Sequence, residues 1–162
     1  VGMEVEALST DEESAWRSYL RSHALLTRTL DAELRAEHGM TLLTYDALVQ
    51  LSEAPGQAMY MRNLAAALLY SASGLTRIVD GLEKSGYAER RIDPANRRAT
   101  LVTLTPEGVR ALQAAWPTHV RGVRGHFARY LGDGEAPVLR RVLAAVAQDL
   151  ETAPAGSSTA AT

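Results

Sequence analysis

The sequence has 162 residues, 46% of them hydrophobic, a net charge of −2 and no cysteine. That length suits one domain, or one domain with appended helices. The missing thiols exclude disulfides, thiolate metal sites and cysteine redox sensing, and no apolar run approaches the roughly 20 residues of a membrane span.

Val1 and Gly2 precede Met3 and are left out of the fold reasoning. Thr10-Asp11-Glu12-Glu13 reads as a capping box with Thr10 at the N-cap. Trp16, Tyr19, Leu20, His23, Leu26, Leu30 and Leu34 follow at three- and four-residue steps, a stripe of about seven turns that ends at Gly39. Thr41 to Glu53 reads as a shorter helix patterned by Tyr45, Leu48, Val49 and Leu51 and stopped by Pro55-Gly56. Met59-Tyr60-Met61 is a short extended piece, and Arg62 to Tyr70 is a strong helix former. Ser71-Ala72-Ser73-Gly74 interrupts, helical spacing resumes at Leu75, Ile78, Val79 and Leu82, and Gly86 marks the end. Two short helices joined by a small-residue turn make a helix-turn-helix.

The period then changes. Tyr87 to Ile92 extends, Thr100 to Leu104 alternates with β-branched residues, and Asp93 to Arg98 forms the loop of a hairpin. Thr105-Pro106-Glu107-Gly108 restarts helix, with Leu112, Trp116, Val120, Val123, Phe127 and Leu131 along one face and a kink expected at Pro117. Leu139, Val142, Leu143, Val146 and Leu150 mark a last helix, and residues 152–162 read as a flexible tail. The expected fold is mostly α (α+β). Residues 41–104 form a winged helix-turn-helix DNA-binding domain, flanked by a dimerisation module of residues 1–40 and 105–151.

Charge is unevenly spread. Residues 1–61 carry four Lys/Arg against ten Asp/Glu, whereas residues 62–98 carry seven against four. A basic segment inside an acidic chain is how a near-neutral protein binds a polyanion.

Leu82-Glu83-Lys84-Ser85-Gly86-Tyr87-Ala88-Glu89-Arg90, then Asp93-Pro94-Ala95-Asn96-Arg97-Arg98, then Leu104-Thr105-Pro106-Glu107-Gly108 together resemble the signature of MarR-type transcriptional regulators. Ser73 to Asp80 looks like that family's recognition-helix segment, and the resemblance spans residues 12 to 151. Asn96 departs from the pattern, standing where the family often has Asp. With no span-length apolar run and no basic-then-apolar signal peptide at its start, a cytoplasmic protein is the expectation; the resemblance implies a homodimer that binds a pseudopalindromic operator in double-stranded DNA. It also implies release by a small aromatic or anionic effector; no cofactor is expected.

Ser71, Ser73, Thr76 and Arg77 are the candidates for reading bases, the hydroxyls by single hydrogen bonds and Arg77 by a bidentate pair with guanine. Ser71 has a plainer reading as a helix cap. Arg97 and Arg98 project from the wing toward a minor groove, where negative potential concentrates, with Asp93 as the brace of the loop. Arg62, Asn63, Arg90 and Arg91 are candidates for phosphate positioning.

Trp16, Tyr19, His23, Tyr45, Trp116 and His119 are effector-pocket candidates at the location the resemblance points to; ordinary packing is the competing reading of each. His119 and His126 are seven residues apart on one helix, but no His-x-x-x-His pair occurs and no metal site is expected. No Gly-rich phosphate loop or nucleophile elbow points to an enzyme. A metal-responsive regulator and an effector-independent architectural DNA-binding factor are the alternatives.

Overall fold

A computed structural model describes residues 7–93 and 96–152. Its helices are α1 (Thr10–His38), α2 (Leu42–Glu53), α3 (Met61–Ala67), α4 (Ala72–Lys84), α5 (Pro106–His126) and α6 (Glu135–Thr152). Its strands are β1 (Ala58–Tyr60), β2 (Ala88–Asp93) and β3 (Asn96–Leu104). The strands form one antiparallel sheet in the order β1-β3-β2. The chain divides into two compact units, one up to Val123 and one from Arg124 on.

The core of the first unit is Leu34, Tyr45, Leu48 and Leu51 packed with Leu64, Leu75, Val79, Leu82 and Val102. Each such aliphatic side chain contributes about 1.5–3 kcal/mol of burial free energy. The wing sheet is anchored there through Ala88, Val102 and Leu104, while Arg91, Ile92, Asn96 and Arg97 farther along it are exposed. Helices α1 and α5 approach closely: a Cβ on Gly122 would lie 2.5 Å from Glu33 Oε2 and 2.6 Å from Leu30 Cδ2. Beside that approach the buried Thr118 hydroxyl donates to Glu37 Oε2 at 2.9 Å. Its one hydrogen is thereby used, so the 2.8 Å contact with His38 must have Nε2–H donating to Thr118.

Several boundaries differ from the sequence expectation. The capping box of α1 is one residue earlier, because Ser9 Oγ accepts from the Glu12 amide while Glu12 Oε2 accepts from the Ser9 amide. Helix α3 stops at Ala67 rather than Tyr70: Leu69 turns left-handed, φ 56°, and the amide of Tyr70 bonds back to Ala65 O. Helix α4 begins at Ala72, with Ser71 as its N-cap accepting from the Gly74 amide at 3.2 Å. Strand pairing reaches Asp93 and Asn96, so Arg97 and Arg98 lie on β3 and not in a loop. Pro94 and Ala95 fall outside the described residues, as does the expected tail beyond Thr152. Helix α5 runs through Pro117 as one helix and ends at His126, leaving Phe127 and Leu131 beyond it.

In the second unit, Glu135 caps the start of α6 by accepting from the Gly132 amide at 2.7 Å. None of the residues of α6 is buried, and Val138, Val142, Leu143, Val146 and Leu150 are exposed.

Candidate nucleic-acid interface

The second helix of the helix-turn-helix has two faces. Leu75, Val79 and Leu82 enter the core, so Ser73, Thr76, Arg77 and Asp80, at i, i+3, i+4 and i+7, line up on the exposed side. The Ser71 hydroxyl is occupied by the cap and lies 3.3 Å from Ser73 Oγ. The Thr76 hydroxyl donates to Ala72 O at 3.1 Å. Arg77 is exposed on the same stripe. At the start of α3, Arg62 and Asn63 are exposed, and the Arg62 guanidinium sits over the Tyr60 ring, 5.8 Å from its centroid.

Arg90 and Arg91 have different fates. Arg90 joins β2 to α4: its guanidinium donates to Asp80 at 2.7 Å, to the Thr76 carbonyl at 3.1 Å and to Glu83, and its amide donates to Glu83 Oε1 at 2.8 Å. Arg91 is exposed and pairs with Glu89. The wing strand β2 and α4 are therefore fastened together, with Arg90 as the fastener.

Farther out, Arg97 is exposed on β3. The backbone of Arg98 continues that strand. Asp93, the expected brace, accepts a 2.6 Å hydrogen bond from the Tyr60 hydroxyl. That bond, together with the carboxylate charge, holds the Tyr60 phenol above its ordinary value. The sequence reading missed Tyr60, because nothing in a three-residue strand points to a partner 33 positions away. It also missed Asp80 and Glu83, the acidic side of the Arg90 fastening.

The candidate effector residues are not gathered in one place. A cleft of ≈ 880 Å³ between α1, α2 and the α3–α4 turn is lined by His23, Arg28, Asp31, Asp46, Leu68 and Tyr70, so only His23 of the expected six borders it. Trp116 borders a smaller cleft of ≈ 270 Å³ with Val49 and Leu112, while Trp16 and Tyr19 are exposed on α1. Tyr45 and His119 line neither cleft and stack on each other, ring centroids 4.4 Å apart. Burial pushes the Tyr45 phenol up to about 12, with the charge of Asp46 adding to it. Burial also raises the Asp46 carboxyl and lowers the His119 imidazole, and mutual attraction within that pair opposes both shifts. Among the described residues no group of three or more His, Asp or Glu could hold a metal ion, and no helix is long and apolar enough to cross a membrane.

A helix-turn-helix whose second helix presents polar side chains beside a β-hairpin defines the class: a winged helix-turn-helix DNA-binding protein. A MarR family model matches residues 38–99, from the end of α1 to the middle of β3. The structure is similar to that of Sco3205, a MarR family transcriptional regulator from Streptomyces coelicolor solved in complex with DNA: TM-score 0.88, 32% identity, 94% of this chain and 95% of that one. It is similar also to AbsC, a MarR family regulator from the same organism: TM-score 0.85, 32% identity, 91% of this chain and 99% of that one. Among curated proteins, the HTH-type transcriptional regulator PrsX of Escherichia coli is 30% identical over 82 residues, 51% of this chain and 49% of PrsX. The chain thus spans about half the length of that relative. The chain belongs to the MarR family of transcriptional regulators.

Proposed function

We propose that this protein is a homodimeric repressor that binds a pseudopalindromic operator and is released by a small effector in the cleft between α1, α2 and the α3–α4 turn. The observation that carries DNA reading is the exposed Ser73–Thr76–Arg77 stripe fastened through Arg90 to a wing bearing Arg97 and Arg98. A helix and a wing held as one body enter a major groove and the neighbouring minor groove together. The bare apolar face of α6 supports a dimer, and a dimer reads two half-sites. Arg28 in the cleft lining supplies positive charge for an anionic or aromatic effector, and the turn residues Leu68 and Tyr70, which also line the cleft, lead directly into α4.

The test is selection of genomic fragments by the purified protein, repeated with a panel of aromatic carboxylates. The expected result is a palindromic site whose affinity falls steeply with salt and which one class of carboxylate releases. Arg97→Ala and Arg98→Ala are each expected to weaken that site about tenfold while the dimer persists. Flat salt dependence, or unchanged affinity in both variants, counts against the reading.

A further inference from the structure

Tyr60 stands on β1, outside the hairpin. Its strand register is level with Leu101 on β3, which is in turn level with Arg91 on β2. Strands lie roughly 4.8 Å apart, so β1 and β2 are separated by about twice that distance with β3 between them. The Tyr60 side chain crosses that gap and leans toward the tip, meeting Asp93 two residues beyond Arg91. The contact falls at the irregular step in the ladder, between Ile92 and Asp93, where regular pairing is lost. A two-stranded ribbon end is only marginally stable by itself. Here a phenol–carboxylate bond of 2.6 Å, short and charge-assisted, ties that end to a third strand. The Arg62 guanidinium over the Tyr60 ring continues the connection to the first turn of α3.

We propose that Tyr60 is a positioning residue for DNA binding: its hydroxyl, acting through Asp93, sets where the wing presents Arg97. This rests on the wing reading given above and adds the residue that aims it. Operator affinity then depends on a hydroxyl that touches no DNA. Removing it leaves Arg97 present but unaimed, so its phosphate or groove contact is lost on average.

The experiment compares wild type, Tyr60→Phe, Arg97→Ala and the double variant. The probe is the tightest-binding duplex recovered by the wild-type protein from a random-sequence pool, measured across a salt series. Thermal melting and solution mass check fold and dimer. Tyr60→Phe keeps the ring and is expected to melt close to wild type, bind about tenfold more weakly, and lose about one counterion from the salt slope. In the Arg97→Ala background the same change is expected to cost little, because the residue it aims is gone. Wild-type affinity in Tyr60→Phe with a clear loss in Arg97→Ala overturns the Tyr60 role alone. An equal loss in both backgrounds with an unchanged salt slope also overturns it, since that is what general loosening produces. Wild-type affinity in Arg97→Ala overturns the wing reading itself, and the Tyr60 role with it.

Discussion

His119 is held against the buried Tyr45, whose side chain is 2% exposed, and neither the Tyr45 hydroxyl nor His119 Nδ1 has a hydrogen-bond partner among the described residues. Burial favours the neutral imidazole, so its native pKa lies below 6.5. An unfolded chain takes up this proton near 6.5 and the native chain only at lower pH. The stability is complete above 6.5, declines as pH falls below it, and levels off beneath the native pKa. The urea midpoint is therefore expected to fall between about pH 7.5 and pH 5.5, and His119→Leu is expected to flatten that decline. An equal decline in the variant assigns the effect to other groups. Residue roles were only partly legible in the sequence. Arg90 and Arg91 are adjacent and chemically identical, yet the alternation of a strand sends one to Asp80 and Glu83 and the other to solvent. Asp93 is expected from the sequence to brace the loop through Arg97 or Arg98, whereas the hydroxyl bonded to it comes from another strand, beyond the reach of local pattern.

Helices with a strong apolar period were legible in order and type, and their ends were not. Ser9 and Thr10 are both good caps with a Glu three residues on, so only the backbone selects Ser9. The hairpin was read with too wide a loop because Asn96, Arg97 and Arg98 look like turn residues by composition, whereas ladder pairing extends through them. Gly108 shows what spacing conceals. It lies in the first turn of α5, where its amide donates to Thr105 Oγ1 at 3.0 Å and the Thr105 amide bonds Tyr87 O at 3.0 Å. A Cβ there would lie 2.1 Å from Tyr87 O and 2.7 Å from Leu104 Cδ1. Gly108→Ala is expected to destabilise the protein by about 1–3 kcal/mol through this overlap, read as a lower urea midpoint. Gly81, whose Cβ meets nothing within 4 Å, is the matched control: Gly81→Ala keeps or raises the midpoint.

In the molecule as a whole, α6 carries a continuous apolar surface. Val138, Val142, Leu143, Val146 and Leu150 are exposed and together form one apolar face of α6. Val142→Glu with Val146→Glu is expected to yield a folded monomer by sedimentation and to lower operator affinity more than about tenfold, since one half-site remains. A variant that stays dimeric places the interface elsewhere. The stripe itself was legible from the spacing of those residues. Spacing alone also describes a helix buried in its own core, so the reading of residues 105–151 as a dimerisation module leans on helix length as well.

The Thr76 hydroxyl has a single hydrogen, and it is already given to Ala72 O. A duplex lying against α4 meets only lone pairs at that position. Lone pairs complement the exocyclic amino groups of adenine and cytosine and repel the carbonyl edges of guanine and thymine. Arg77, one residue on, carries donors alone and has the opposite preference. By folding its own hydroxyl inward, α4 sets opposite hydrogen-bond polarities side by side on its surface, acceptor at Thr76 and donor at Arg77.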